Sequence, residues 1–119
     1  MPQSIQKSPT YVLHRETAAV DSSVNSYDHG INTSYYAKAN IQVVPSGGAN
    51  PNVEVLWWSD EASKFISEHV ALAKAGVGAN TPFEFTVDCL SRVMFVSVTA
   101  IAAGSVKIFV SGAGLNHPE

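Results

Sequence analysis

The feature that most constrains the fold is an alternation between two faces in short runs of the sequence, with one face of each run apolar. The clearest run is VEVLWWS, residues 53–59. On an extended strand, successive side chains point to opposite faces. One face of this run is therefore wholly apolar and carries Val53, Val55 and Trp57. The other face begins with a glutamate but continues with Leu56 and Trp58, which raises the question of what covers them.

Other runs repeat the alternation and predict further strands at 34–44, 83–89, 92–101 and 106–111. The inward side chains predicted for the first of these are Tyr35, Ala37, Ala39, Ile41 and Val43. The run 92–101 is apolar on both faces, as a strand covered on both sides would be. Residues 64–72 fit either a strand or a short amphipathic helix. Gly, Pro and Asn separate the runs, and the AAGS stretch at 102–105 predicts a tight turn with its Gly at positive φ.

Several short strands with turn signals between them predict an all-β fold, an antiparallel β-sandwich or jelly roll. Residues 33–119 would form this β-sandwich domain. Residues 1–32 are rich in Ser, Asn and Asp, and only 11–14 and 17–20 within them are typical of strands. We expect this stretch to be an extended N-terminal arm that is either partly disordered or ordered by something it lies against, because its own apolar content is too small to offset the entropy lost on ordering.

Composition excludes several classes of partner. The net charge is −3 with no basic run, which argues against nucleic-acid binding. No apolar stretch is long enough to span a membrane and the first residues do not form a signal peptide, so we expect a soluble chain made in a cytoplasm. Charged residues make up only 14% of the chain. Such a surface is typical of proteins that bury much of themselves against partners.

No pattern in the chain predicts catalysis, a cofactor or a metal site. The histidines, His14, His29, His69 and His117, are far apart in sequence and lack metal-ligand spacing. The Asp28–His29 and Asp60–Glu61 pairs are typical of polar turns. Cys89 is in phase with the apolar residues of 83–89, which predicts a buried small hydrophobe and not a nucleophile. We therefore expect a protein that is not an enzyme.

Apolar side chains remain on strand faces that should contact water. Leu56, Trp58 and Phe109 have no polar alternation partner. Because aromatic anchors are enriched in interfaces, these three residues are candidates for self-association in a dimer or trimer. The alternative is cover from within the chain, by the N-terminal arm or by residues 60–82.

Two stretches, VEVLWWSDEASKF and TPFEFTVDCLSRVMFVSVTAIAAGSVKIFVSG, resemble small β-sandwich proteins of tailed-phage virions. The likeness covers residues 34 to 112. It rests on a strand that ends in W-S-D before a turn, and on a final series of strand, Arg, strand, turn, Gly and strand. Carbohydrate-binding modules built as β-sandwiches show a similar rhythm.

The resemblance implies a capsid decoration or cement protein, an oligomer on the capsid exterior of a virion that binds the major capsid protein and braces neighbouring subunits. The shell contact would come from Tyr11, Val12 and Leu13 in the arm, by addition of a strand to a sheet edge. A head-fibre or tail-tip base protein would share the fold. In a carbohydrate-binding module, an aromatic platform would instead be formed by Trp57 or Trp58, Tyr35 or Tyr36, and Asp60.

Overall fold

The computed structural model describes residues 2–22, 24–89 and 92–115, and within this part of the chain it is built almost entirely of strands. The first strands are β1 (Gln3–Ser4), β2 (Val12–Thr17), β3 (Ile31–Asn32), β4 (Tyr36–Ser46) and β5 (Asn52–Ser59). The remaining strands are β6 (Lys64–Ile66), β7 (Leu72–Lys74), β8 (Phe83–Asp88), β9 (Val93–Ala100) and β10 (Ser105–Leu115). One 3₁₀ turn, Tyr27–His29, precedes β3.

The strands form two sheets that pack face to face, which confirms the predicted all-β sandwich. The four-stranded sheet has the order β2-β10-β4-β8 and is antiparallel throughout. The six-stranded sheet has the order β1-β3-β9-β5-β6, and β7 also pairs with β5. The inward side chains of both sheets form one core. Its fully buried aliphatic members include Ile41, Val43, Val53, Val55, Val96, Val98, Ile108 and Val110.

The predicted alternation is correct for most of β4 but wrong at its start. Ala39 and Ile41 are buried as expected, whereas Tyr35 is 58% exposed and Tyr36 is the buried tyrosine. The buried positions at the start of β4 are Tyr36 and Ala39, three residues apart, so the two-residue period is broken between them. A Cβ on Gly112 would lie 2.3 Å from the Tyr36 ring, so the absence of a side chain on β10 makes room for this tyrosine.

Three further predictions of local structure can be compared with the observed strands and turns. No helix lies within residues 64–72. They contain the strand β6 and the first residue of β7, so the strand was the better of the two predictions for this stretch. The predicted strand at 17–20 is wrong, because β2 ends at Thr17. There the Thr17 hydroxyl accepts a hydrogen bond from the Ala19 N–H at 3.2 Å, which starts a turn. The predicted turn at 102–105 is confirmed, with Gly104 at φ 70°.

The stretch 1–32 contributes strands to both sheets. β1 and β3 pair with each other in the six-stranded sheet, and β3 pairs in turn with β9. β2 lies at one edge of the four-stranded sheet, paired with β10. Residues 6–8 continue along β10, where Gly112 bonds through its backbone to Gln6 and Ser8. The ordering of this polar stretch therefore comes from backbone pairing with sheet edges.

Residues 18–22 and 24–30, which we call the crossing loop, bond to two strands of the six-stranded sheet, β9 and β6. The Asp21 N–H donates to the Val98 carbonyl on β9, and the Val24 carbonyl accepts from the Phe65 N–H on β6. Phe95 points outward from β9 but is only 4% exposed. Its ring meets those of His14 and Phe65 at 5.5 Å between centroids, and the Arg15 guanidinium lies 4.7 Å from its centroid. Side chains of β2 and β6 therefore cover β9, which confirms the prediction of a strand buried on both faces.

Gly30 ends the crossing loop where it lies closest to the sheet. A Cβ there would lie 2.5 Å from Val93 Cγ1 and 2.6 Å from Phe65 Cζ. We expect Gly30→Ala to lower the free energy of unfolding by about 1–3 kcal/mol, because the added methyl forces these neighbours apart. Urea denaturation would measure this. Gly30 has φ −79°, where an Ala meets no backbone strain, so a loss would report the contacts of the added methyl group alone. An unchanged free energy of unfolding would contradict the close packing.

Candidate functional site

An ion pair anchors the crossing loop to the open edge of β9. The Arg15 guanidinium donates to both Asp21 carboxylate oxygens, at 2.7 and 2.6 Å. Arg15 also donates to the Val96 carbonyl at 3.1 Å, and the Asp21 carboxylate accepts from the Val98 N–H at 2.8 Å. These side chains therefore supply the hydrogen bonds that a neighbouring strand would otherwise make.

His14 lies beside this ion pair and is buried. Its Nε2 accepts a hydrogen bond from the Val96 N–H at 3.4 Å, so the neutral ring carries its proton on Nδ1 and donates it to the Gln3 side-chain oxygen at 3.1 Å. Burial lowers the pKa of His14 to about 3, with a further lowering from the Arg15 charge and an opposing effect of Asp21. Both ring nitrogens are thus engaged in holding β2 and β1 against β9.

The outer face of the four-stranded sheet carries exposed and partly exposed side chains, although Ser111 within it is fully buried. Cross-strand pairing aligns its side chains in rows. The central row is Leu13, Phe109, Gln42 and Glu84. The residues Lys107 and Val44 lie in the next row on one side, and the residues Ser111, Asn40 and Thr86 lie in the row on the other side. We call these nine residues the open face.

The open face combines an apolar centre with a hydrogen-bonded polar rim. Leu13 is 42% exposed and lies opposite the half-buried Phe109. In the polar row, the Thr86 hydroxyl donates to the Asn40 side-chain oxygen at 3.0 Å, and the Asn40 amide donates to the Ser111 hydroxyl at 3.4 Å. Its charged members are Glu84 on the edge strand β8 and Lys107 on the central strand β10. An apolar centre with a polar rim is also the arrangement found in protein interfaces.

Tyr11 lies across the open face. Its hydroxyl donates a short hydrogen bond to the Glu84 carboxylate on β8. That bond, together with some burial, raises the pKa of the Tyr11 hydroxyl, so it stays protonated at neutral pH. This hydrogen bond joins the residue before β2 to β8 at the opposite edge of the sheet.

The structure separates the three residues predicted for self-association. Phe109 lies on the open face of the four-stranded sheet. Leu56 and Trp58 lie on the opposite side of the sandwich, where they point outward from β5 and are half-buried. The Trp58 ring meets those of Tyr27 and Phe65 edge to face, at 5.4 and 5.2 Å between centroids. Cover of this side by the chain itself was the alternative that the sequence left open.

The residues predicted for the shell contact lie beside Phe109. Leu13 pairs with Phe109, and Val12 pairs with Val110. Tyr11 crosses the same face. However, the free edge of β2 is partly occupied, because the Gln3 amide donates to the Leu13 carbonyl at 2.9 Å. Addition of a strand at this edge would have to displace Gln3, whereas docking on the open face would not.

The aromatic residues predicted for a sugar platform are dispersed. Trp57 is buried in the core under the Arg92 guanidinium, which lies 4.0 Å from the ring centroid. Tyr36 is buried and Tyr35 is exposed. Trp58 and Asp60 do meet, because the Trp58 Nε1–H donates to the Asp60 carboxylate at 2.8 Å. Together with Tyr27, Arg92 and Val93 they line a cleft of about 460 Å³. Sequence reasoning missed Tyr27 and Arg92, since neither is near Trp58 in sequence.

The remaining titratable candidates are spread over the structure, although Asp28 and His29 line a cleft together with His14 and Asp21. Cys89 is fully buried, as predicted, and burial raises the pKa of its thiol. Asp28 and His29 are exposed in the 3₁₀ turn, and His69 is exposed after β6. His117 lies outside the described residues.

Within residues 2–22, 24–89 and 92–115, no group of three or more His, Cys, Asp or Glu side chains is placed to hold a metal ion, and no helix is long and apolar enough to cross a membrane.

Comparisons with known proteins add no family to this geometry. No protein-family model, curated protein or solved structure matches the chain.

Proposed function

We propose that the chain is a non-enzymatic virion protein that decorates the outside of a phage capsid and braces neighbouring capsid subunits through its open face. The observation that carries the proposal is the asymmetry of the sandwich. On the six-stranded sheet the outward ring of Phe95 is buried under other side chains of the same chain, whereas the four-stranded sheet presents Leu13 and Phe109 within a polar rim. A face of this kind suits contact with a large protein surface.

The path of the chain supports the same proposal. One sheet contains β2, β4, β8 and β10. The other contains β1, β3, β5, β6, β7 and β9, and both β6 and β7 pair with β5. The chain therefore passes repeatedly from sheet to sheet, which we interpret as a jelly-roll path. Jelly rolls form viral capsid and lectin domains. The resemblance of 34–112 to tailed-phage virion proteins favours the first of these classes.

The open face includes candidates for both kinds of contact, to the major capsid protein and to further copies of the chain. Phe109 was predicted for self-association, and Tyr11 and Leu13 for the shell. Because they share one face, a copy bound to the shell through this face would not use it at the same time for another copy. We therefore propose that homo-oligomers, if they form on the shell, use surface outside this patch.

The proposal predicts that Leu13→Glu weakens binding to phage heads by at least about tenfold, because a carboxylate would be buried unpaired at an interface core. The measurement is co-sedimentation of the purified chain with expanded, DNA-free heads of the phage that encodes it. Val70→Glu is the matched control, since Val70 is 78% exposed and lies outside the open face. Equal binding by the two variants would contradict the assignment. Binding to tails in place of heads would favour a fibre or tail base protein.

A further inference from the structure

We propose that the cleft lined by Tyr27, Trp58, Asp60, Arg92 and Val93 is a binding site for a neutral sugar. This cleft is separate from the open face and goes beyond capsid binding. Its volume of about 460 Å³ lies within the roughly 300–1,000 Å³ of small-molecule sites. It is formed where the crossing loop, the turn after β5 and the residue before β9 come together.

Two aromatic rings form a corner that suits the apolar face of a pyranose. The rings of Tyr27 and Trp58 stand at 69° with centroids 5.4 Å apart. Trp58 is held by its hydrogen bond to Asp60 and by edge-to-face packing on Phe65, so its orientation is fixed before any ligand binds. Tyr27 is 43% exposed and supplies the accessible wall. A sugar ring is amphipathic in the same way, with C–H groups on its faces and hydroxyls at its edge.

Acceptors and donors lie at the rim of this corner. The Asp60 carboxylate has about four acceptor positions, and the Trp58 Nε1–H uses one of them. Arg92 has five N–H donors. Among the described residues, its hydrogen bonds to the Glu68 carboxylate and the Cys89 carbonyl use two of these. An acceptor and a donor on one rim can bind adjacent hydroxyl groups, which both donate and accept.

The two charges on the rim are of opposite sign. A sugar acid would meet Asp60 as well as Arg92, and a quaternary ammonium group would meet Arg92 as well as Asp60, so neither kind of ion finds a rim of one complementary sign. Arg92 is itself held in place by Glu68 at 3.2 Å and by stacking on Trp57 at 4.0 Å. A neutral polyol is the ligand class that meets no like charge here.

The test is saturation-transfer NMR and tryptophan fluorescence of the full chain with the methyl glycosides of glucose, galactose, mannose and N-acetylglucosamine. Glucuronate and choline serve as charged comparison ligands. We expect saturable binding of at least one neutral glycoside. Tyr27→Ala and Asp60→Ala should each weaken this binding by at least about tenfold, because each removes one side of the site. Both residues are exposed, so neither change removes a core contact.

Tyr35→Ala is the matched control, since Tyr35 is a more exposed aromatic side chain that does not line the cleft. Retained binding by this variant, with loss in the other two, would establish the site. No saturable binding of any neutral glycoside would overturn the proposal, as would binding of glucuronate or choline alone. Binding that survives Tyr27→Ala would also overturn it. None of these results depends on whether the chain binds capsids.

Discussion

Replacement of Asp21 by Ala should lower the free energy of unfolding by about 3 kcal/mol, because it removes one partner of a mostly buried ion pair. The Arg15 and Asp21 side chains are only 19% and 16% exposed. Asp21 also accepts from the Val98 N–H, and the Val98 residue is fully buried. The variant therefore leaves a guanidinium and a backbone donor without their acceptor. Urea denaturation at neutral pH would measure the loss.

Asp88→Ala is the matched control for this prediction. Asp88 pairs with Lys38 at 3.2 Å, but the two side chains are 68% and 58% exposed. Surface pairs of this kind contribute roughly 0–1 kcal/mol, so this change should be nearly neutral. Hydrogen exchange provides a second readout, since protection of the Val98 amide should fall in Asp21→Ala only. Equal losses in the two variants would contradict the role assigned to Asp21 at the edge of β9.

The pattern of side chains predicted which faces of the strands are inward, and the physical reason is local. Alternation within β5, β8 and β10 depends only on neighbouring positions of one extended segment. The buried Tyr36 was not visible in this pattern, because the space for its ring is left by Gly112, which is distant in sequence. Periodicity thus predicts burial along most of each strand, and misses a residue whose burial depends on space left by a neighbouring strand.

Alternation could not predict which outward residues share a surface. Leu56, Trp58 and Phe109 look equivalent in sequence, yet the first two lie on the covered sheet and the third lies on the open face. Strand pairing decides this, and it joins residues far apart, such as Leu13 with Phe109. The doubly apolar run 92–101 did indicate that something must cover β9.

The apolar pattern did not predict where the crossing loop lies, because polar side chains and not apolar ones hold this loop in place. Arg15 and Asp21 bind to backbone groups of residues 96 and 98, more than seventy positions away. A segment rich in Ser, Asp and Asn is read as an arm when only its apolar content is counted. Here its hydrogen bonds complete the edge of a sheet, and this makes the ordered loop compatible with a polar sequence.

The buried His14 should make the protein less stable as the pH falls below about 6.5, the ordinary pKa of an unfolded histidine. In the folded protein burial lowers its pKa to about 3. The unfolded chain therefore takes up a proton at His14 before the folded chain does, and protonation favours unfolding. The full contribution of neutral His14 is present above pH 6.5. It declines by about 1.4 kcal/mol per pH unit below that value, and the decline levels off near pH 3.

His14→Gln tests this without removing the hydrogen bonds. A Gln amide can accept from the Val96 N–H and donate to Gln3, but it does not titrate in this range. Other groups also titrate as the pH falls, so the quantity to measure is the difference in unfolding free energy between wild type and variant from pH 7.5 to 4.5. The difference should shift by about 2 kcal/mol against the wild type between pH 6.5 and 5, at 1.4 kcal/mol per unit. His69→Gln is the control, since His69 is exposed and its variant should follow the wild type. Parallel curves for wild type and His14→Gln would show that His14 is not held neutral, and the assigned role of its Nε2 at the β9 edge would then be wrong.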